Sequence, residues 1–180
     1  MITAEQALDK LKTGNRLYLT GQTPSGDVSP EIRAKTAEQG QQPYAIVVCC
    51  SDSRVIPEAI FSAGIGEIFV IRVAGNVIDK HQLGSIEYAA DHLGCKLVVV
   101  MGHDRCGAVD AALHHATGGY IKSITDQIQL AVGDEKDPVR ASCLNALHGD
   151  KQIEQSLDIG LSAVAAIYHI ATGEVEFLQA

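Results

Sequence analysis

Five residues in two short stretches carry side chains able to do chemistry together. In VVCCSDSRV, Val47 to Val55, a thiol at Cys50, a carboxylate at Asp52 and a guanidinium at Arg54 follow an apolar run within five positions. In GHDRCG, His103 and Cys106 follow a second such run. Two thiolates, an imidazole and a carboxylate make a donor set that suits zinc, which takes four tetrahedral N, S or O ligands. A lone His-x-x-Cys, or one Cys behind an apolar strand, is more often packing than a ligand. Two such halves at equivalent strand ends favour the metal reading.

The elements around these residues must bring them to one point. Ala45 to Cys49, Ile68 to Val73 and Leu97 to Met101 are short, continuous apolar runs rich in Val and Ile. Such runs read as parallel strands covered on both faces. Between the second and third, GSIEYAADHLG predicts a helix with Ile86, Ala89, Ala90 and Leu93 inward and Gly94 as its stop. CGAVDAALHHATGG starts another after the third. In open α/β sheets, sites form beyond the carboxyl ends of strands where the strand order reverses. If the first and third strands are neighbours, Cys50, Asp52, His103 and Cys106 converge there.

Thr3 to Gln6 reads as a capping box opening a short amphipathic helix with Ala7, Leu8 and Leu11 on one face. Gly21 to Asp27, with Pro24 and Ser25, reads as a loop. Ser29, Pro30 and Gly40 bracket a second helix. Ser123 to Asp150 reads as helices with a loop near Gly133 to Pro138. The final LSAVAAIYHIATGEVEFLQ reads as two strands in an antiparallel hairpin through Thr172-Gly173. The fold class is therefore α/β, with about four parallel strands and a C-terminal antiparallel one, flanked by helices.

The 180 residues suit one domain, 1–180, and a formal charge of -8 disfavours nucleic acid or an anionic membrane surface as partner. No stretch reaches the roughly 20 apolar residues that span a bilayer, and the N-terminus does not read as a secretory signal. Five cysteines, an odd number, suit a reducing compartment, so a cytoplasmic location is expected. Cys49 is expected in the core, and Cys95 and Cys143 are read as structural. Among the other histidines, His81 is the favoured proton shuttle; Arg16 and Arg72 are read as structural ion-pair partners.

The chain also resembles a known family. CSDSRV at Cys50 to Val55, followed by GHDRCGA at Gly102 to Ala108, resembles the paired signature of the β-class carbonic anhydrases. ALDKLKTGN, IPEAIF, FVIRVAGNVI, GSIEYAADHLG and AIYHIATGEVEFL resemble family segments in family order, so the likeness covers most of the chain. It implies one zinc per chain, held by Cys50, His103 and Cys106, with Asp52 either a fourth ligand or released to Arg54. It implies a pocket lined by Gln41, Phe69, Ala74 and Tyr88, with the Gly107 N–H meeting bound anion. The implied reaction is reversible hydration of carbon dioxide to bicarbonate and a proton by zinc-bound hydroxide, with the Asp52–Arg54 dyad controlling the fourth zinc position. The resemblance further implies a helical arm at 1–40 draped over a partner, a zinc-binding core at 41–180, and a homodimer or dimer of dimers.

Two consequences follow from composition and charge. With no tryptophan, the allosteric bicarbonate site of some bacterial members has no counterpart in its usual form, and Gln41 agrees with the non-allosteric subtype. Two thiolates cancel the charge of the metal, so water at this site is acidified less than at a three-histidine site and activity should rise on the alkaline side. The competing readings are a carbon disulfide hydrolase with an altered entrance tunnel, a non-enzymatic homologue lacking the Asp52–Arg54 pair, and a thiol redox protein. The last needs a resolving cysteine near Cys50, and the adjacent Cys49 is poorly placed to be one.

Overall fold

The computed structural model describes residues 2–21, 26–115 and 118–178. Pro24 and Ser25 of the predicted loop lie outside the described residues, as do 116 and 117 in the CGAVDAALHHATGG segment.

Helix α1 spans Ala4–Thr20. The Thr3 hydroxyl accepts the Gln6 N–H at 3.2 Å and Gln6 Oε1 accepts the Thr3 N–H at 2.9 Å, closing the expected capping box. The helix is longer than its apolar spacing suggests and runs straight through Gly14. That glycine is a contact point, because a Cβ there would lie 1.8 Å from the Phe61 carbonyl oxygen. Next to it, buried Asn15 donates to the carbonyls of Ile60 (3.2 Å) and Gly173 (2.9 Å) and accepts the Val175 N–H (3.0 Å). With Ala7 and Leu11 buried and Leu8 partly so, α1 covers its own sheet. Helix α2, Pro30–Gln39, buries no residue of its own. Its ends are as expected, with the Ser29 hydroxyl accepting the Ile32 N–H and Gly40 at φ 79.

The three apolar runs form β1 (Ala45–Cys49), β2 (Ile68–Arg72) and β3 (Leu97–His103), and the C-terminal runs form β4 (Ser162–Tyr168) and β5 (Val175–Phe177). Their order is β2-β1-β3-β4-β5, with all neighbours parallel except β4 and β5. This is the anticipated α/β sheet. Strand β3 outlasts its apolar run by two residues because Gly102 and His103 continue the ladder opposite Ile167 and Tyr168.

Alternate strand residues face opposite cores. Val47, Cys49, Val99 and Met101 pack beneath α1 and α3 (Pro57–Ile60), while Ile46, Val48, Val98 and Val100 pack against α4 (Lys80–Asp91) and α7 (Pro138–Ser156). Helix α4 begins before the predicted segment because the Asp79 carboxylate caps it, accepting the His81 N–H at 2.9 Å. The region hardest to read resolves into α6 (Ile121–Val132) and α7, the latter capped by Asp137 through the Arg140 N–H at 2.8 Å. Helix α5 (Gly107–Leu113) follows the second chemical stretch and packs on α6.

Candidate metal centre

The chain leaves β1, crosses to β2 on one side, then returns to place β3 on the other, so strand order reverses between β1 and β3. Cys50 follows the last residue of β1, His103 ends β3, and Cys106 stands directly before α5. Their ligating atoms all lie within 4.8 Å of one another, and the two sulfurs are 4.0 Å apart. His103 is fully buried, and each cysteine is 4% exposed.

The donor set passes a direct test for a soft divalent cation. His103 Nδ1 donates to the Asp104 carbonyl at 2.7 Å, which leaves the lone pair of Nε2 free on the side of the sulfurs. That Nε2 is buried yet makes no hydrogen bond. Such a nitrogen is costly to bury without a partner. Cys50 Sγ accepts N–H groups from Gly75 (3.3 Å) and Asp52 (3.4 Å). The hydrogen bond between the two sulfurs lowers the Cys50 thiol against its burial and, with burial, raises that of Cys106. The pair titrates as a unit. A cation bound by both sulfurs would displace their protons. The three residues fit zinc.

Asp52 stands apart from this cluster. Its Oδ2 lies 3.9 Å from His103 Nε2, but both oxygens are taken by Arg54: Nε to Oδ1 at 2.9 Å and Nη2 to Oδ2 at 2.7 Å, with the Arg54 N–H on Oδ1 at 2.9 Å. This fork, ahead of the backbone N–H and His103, holds the Asp52 carboxyl well below the usual carboxylate range. Arg54 Nη2 also donates to the Arg105 carbonyl at 3.2 Å, tying the loop after β1 to the loop after β3.

The pocket residues named from sequence fall into two groups. Ala74 opens the tight turn Ala74–Asn76 whose Gly75 touches Cys50, and Gly107 directly follows Cys106. Phe69, by contrast, pairs with Ile46, four residues before Cys50 or about 13 Å along the strand at roughly 3.3 Å per residue. Tyr88 packs at a tilt against Phe69 with ring centroids 6.2 Å apart, and Gln41 adjoins Gly66 just before β2. Gln41, Phe69 and Tyr88 therefore gather at the amino end of the strands, away from this chain's own metal centre.

The other residues singled out lie as follows. Cys49 is fully buried and pushed up to about 12, and Cys95, buried with its thiol on the Pro43 carbonyl, up to about 11, first by burial in each case. His81 is almost fully exposed beside Asp79. Arg16 and Arg72 form no ion pair among the described residues: Arg16 bonds the Thr13 hydroxyl, and Arg72 bonds two backbone carbonyls. Sequence reasoning missed Gly75 and Asn145, whose Nδ2 donates to the Gly75 carbonyl at 2.7 Å. The one local signal was the glycine of RVAGN, which occupies the left-handed region at φ 68.

A buried thiol–imidazole–thiol cluster with an Asp–Arg pair beside it, at the point where a parallel sheet reverses, fits a zinc protein whose site keeps a coordination position open. The comparisons narrow it. The carbonic anhydrase family model matches residues 45–175. A carbonic anhydrase of Mycolicibacterium smegmatis is 37% identical over 184 residues, covering 92% of this chain and 89% of its own. A β-carbonic anhydrase structure from the fungal pathogen Aspergillus fumigatus shares the fold with TM-score 0.74 at 29% identity, covering 83% of this chain and 81% of that one. A tetrameric β-carbonic anhydrase from Sordaria macrospora gives 0.72 at 28%, covering 84% and 88%. The chain belongs to the β-carbonic anhydrase family, whose enzymes hydrate carbon dioxide with zinc.

Proposed function

We propose that this chain interconverts carbon dioxide and bicarbonate at Cys50, His103 and Cys106, with Asp52 and Arg54 governing access to the metal. One observation carries the reading: three ligand atoms converge while the Asp52 carboxylate beside them is locked onto Arg54. The protein itself thus offers three ligands, as a catalytic rather than a structural site does.

Zinc bound there supplies Lewis acidity and acidifies water at the coordination position the protein leaves free. The chain's own residues do the rest. Cys50 and Cys106 hold the ion as thiolates, and the Asp104 carbonyl fixes the His103 ring. The N–H groups of Gly75 and Asp52 steady the Cys50 sulfur. Asp52, ionised and acceptor-only, takes an O–H of the attacking water on Oδ2 and orients its lone pair toward the substrate carbon. Arg54 keeps that carboxylate from becoming a fourth ligand. Ala74 and Gly107 present little bulk beside the centre, which suits a small apolar gas.

The same reading makes the enzyme a homodimer or a dimer of dimers. Gln41, Phe69 and Tyr88 are too far from Cys50 to line their own chain's pocket, and α2 has an uncovered surface. Both facts are accounted for if these residues line the pocket of a second copy. A tetrameric relative agrees with this. Among the described residues no helix is long and apolar enough to cross a membrane. Five free cysteines, two of them needed as thiolates, suit the reducing cytoplasm.

The test is stopped-flow hydration of carbon dioxide on protein of known zinc content, with mass by light scattering. A fast rate that disappears with the zinc, from a species of at least two chains, supports the proposal. Zinc-loaded protein without hydration at any pH refutes it, and carbon disulfide becomes the next substrate to try.

A further inference from the structure

Arg72 closes β2 opposite Cys49, and its guanidinium turns back over the loop that follows β1. Nε donates to the Cys50 carbonyl at 3.2 Å and Nη2 to the Asp52 carbonyl at 2.8 Å. The backbone supports the same junction: the Val73 N–H donates to Cys49 and the Ser51 N–H to Val73. One side chain thus grips the main chain of a metal ligand and of the carboxylate beside it, two residues apart.

Asp52 is consequently held at both ends by different arginines. Arg54 holds its carboxylate, and Arg72 holds its carbonyl. For the carboxylate to reach the metal, either the side chain must leave Arg54 or the backbone must shift toward β3. Arg72 opposes the second route. It also limits movement of Cys50, whose carbonyl shares the same fork. A lysine cannot replace it, because one ammonium on a flexible stem lacks the planar pair of donors.

We infer that Arg72 is a positioning residue for the reaction: its two-point grip on the Cys50 and Asp52 carbonyls sets the ligand geometry and keeps Asp52 off the metal. This rests on the metal-site reading above and extends it to a residue outside the Cys–His–Cys and Asp–Arg sets. Among the described residues its exposed fork bonds only neutral carbonyls, so its contribution shows in the site's geometry more than in global stability.

The experiment compares the zinc-loaded parent with Arg72→Ala and Arg72→Lys in three measurements. These are steady-state hydration, zinc release to excess dipicolinate, and the visible spectrum of the cobalt(II)-substituted protein titrated with thiocyanate. Removing an outer partner of a metal ligand typically costs 10–100-fold in affinity or activity. Arg72→Ala should therefore lower kcat by about 10–100-fold with KM changed by less than about twofold. Zinc release should accelerate by a similar factor, and thiocyanate should perturb the cobalt spectrum less. Arg72→Lys should recover only part of each loss. Unchanged zinc release and spectrum in Arg72→Ala would overturn the inference, as would full recovery in Arg72→Lys, which would reduce the role to charge. A parent that binds zinc but hydrates nothing defeats the functional proposal instead, and zinc release then still decides the part played by Arg72.

Discussion

Gly75→Ala is the sharpest probe of how the centre is built. Gly75 sits at φ 68 with its N–H on Cys50 Sγ at 3.3 Å and its carbonyl on Asn145 Nδ2 at 2.7 Å. A Cβ there would lie 2.7 Å from Ile128 Cδ1 and 3.1 Å from the Ala108 Cβ. The left-handed backbone costs an L-residue about 1–2 kcal/mol. Overpacking costs about 1–3 kcal/mol more, at the lower end here because the nearest atom is the tip of an isoleucine. The stiffer unfolded chain returns about 0.4–1 kcal/mol. A net loss of about 2 kcal/mol remains, below the roughly 5–15 kcal/mol by which proteins are stable, so the variant folds.

The overlap and the backbone strain can be separated. Ile128→Val removes the clashing methyl at a cost of about 0.5–1.5 kcal/mol alone. In the double variant the losses should fall short of additivity by about 1 kcal/mol, since one substitution relieves the other. Urea denaturation of all four proteins measures this, and zinc release to a chelator follows the Cys50 bond. Gly75→Ala should release zinc faster, and Ile128→Val in that background should restore part of the difference. Strict additivity, or a Gly75→Ala protein within about 0.5 kcal/mol of the parent, would refute the packing argument. Lost stability with unaltered zinc release would refute the link to Cys50.

Further outcomes follow from the same geometry. Arg54→Lys should cut kcat by about 10–100-fold despite keeping the charge, because an ammonium cannot bond both Asp52 oxygens and the Arg105 carbonyl together; near-parental kcat would refute the fork's role. The hydration rate should climb from neutral to alkaline pH, since two thiolates offset the metal's charge, and a flat profile would contradict that count. Asp150 is 7% exposed with Oδ1 unpaired, and burial, then Glu154, push its carboxyl from 3.8 up to about 6. Because the folded chain binds that proton more tightly, stability is full below pH ~4 and falls as pH rises through about 6; Asp150→Asn should stabilise at pH 8 by about 2 kcal/mol and hardly at pH 4, as urea midpoints will show, and an equal gain at both would refute it. Zinc removal should leave the far-ultraviolet circular dichroism in place, and global unfolding on chelation would show that the metal holds the fold.

The parts of the site legible in the sequence were those whose signal is local. Cys50 and His103 announce themselves by following uninterrupted Val- and Ile-rich strands, and Cys106 by its spacing from His103. The sheet followed from the same runs, since strands buried on both faces lose alternation. What stayed hidden depends on contacts across the chain. Asn145 reaches Gly75 from seventy positions away, and Arg72 meets Cys50 from twenty-two. Arg72 also looks like an ordinary strand-end charge, and nothing in its neighbours tells that its partners are carbonyls. Gly14 likewise depends on a distant contact: it is a glycine inside a helix because the Phe61 backbone passes against it.

The arrangement also explains why the metal can belong to the chemistry and not to the fold. Strands β1 and β3 are joined by a ladder from Ile46–Val98 to Cys49–Met101, all of it buried, before the chain reaches any ligand. His103 ends β3 and the two cysteines stand on the loops after β1 and β3, which Arg54 joins by its bond to the Arg105 carbonyl. A cation arriving there meets donors already within reach of one another. Such a scaffold can spare Asp52, because three ligands held by neighbouring strands need no fourth to keep their places. On the proposed mechanism, that freedom would let Asp52 serve as an acceptor for substrate water while Arg54 and Arg72 hold its two ends.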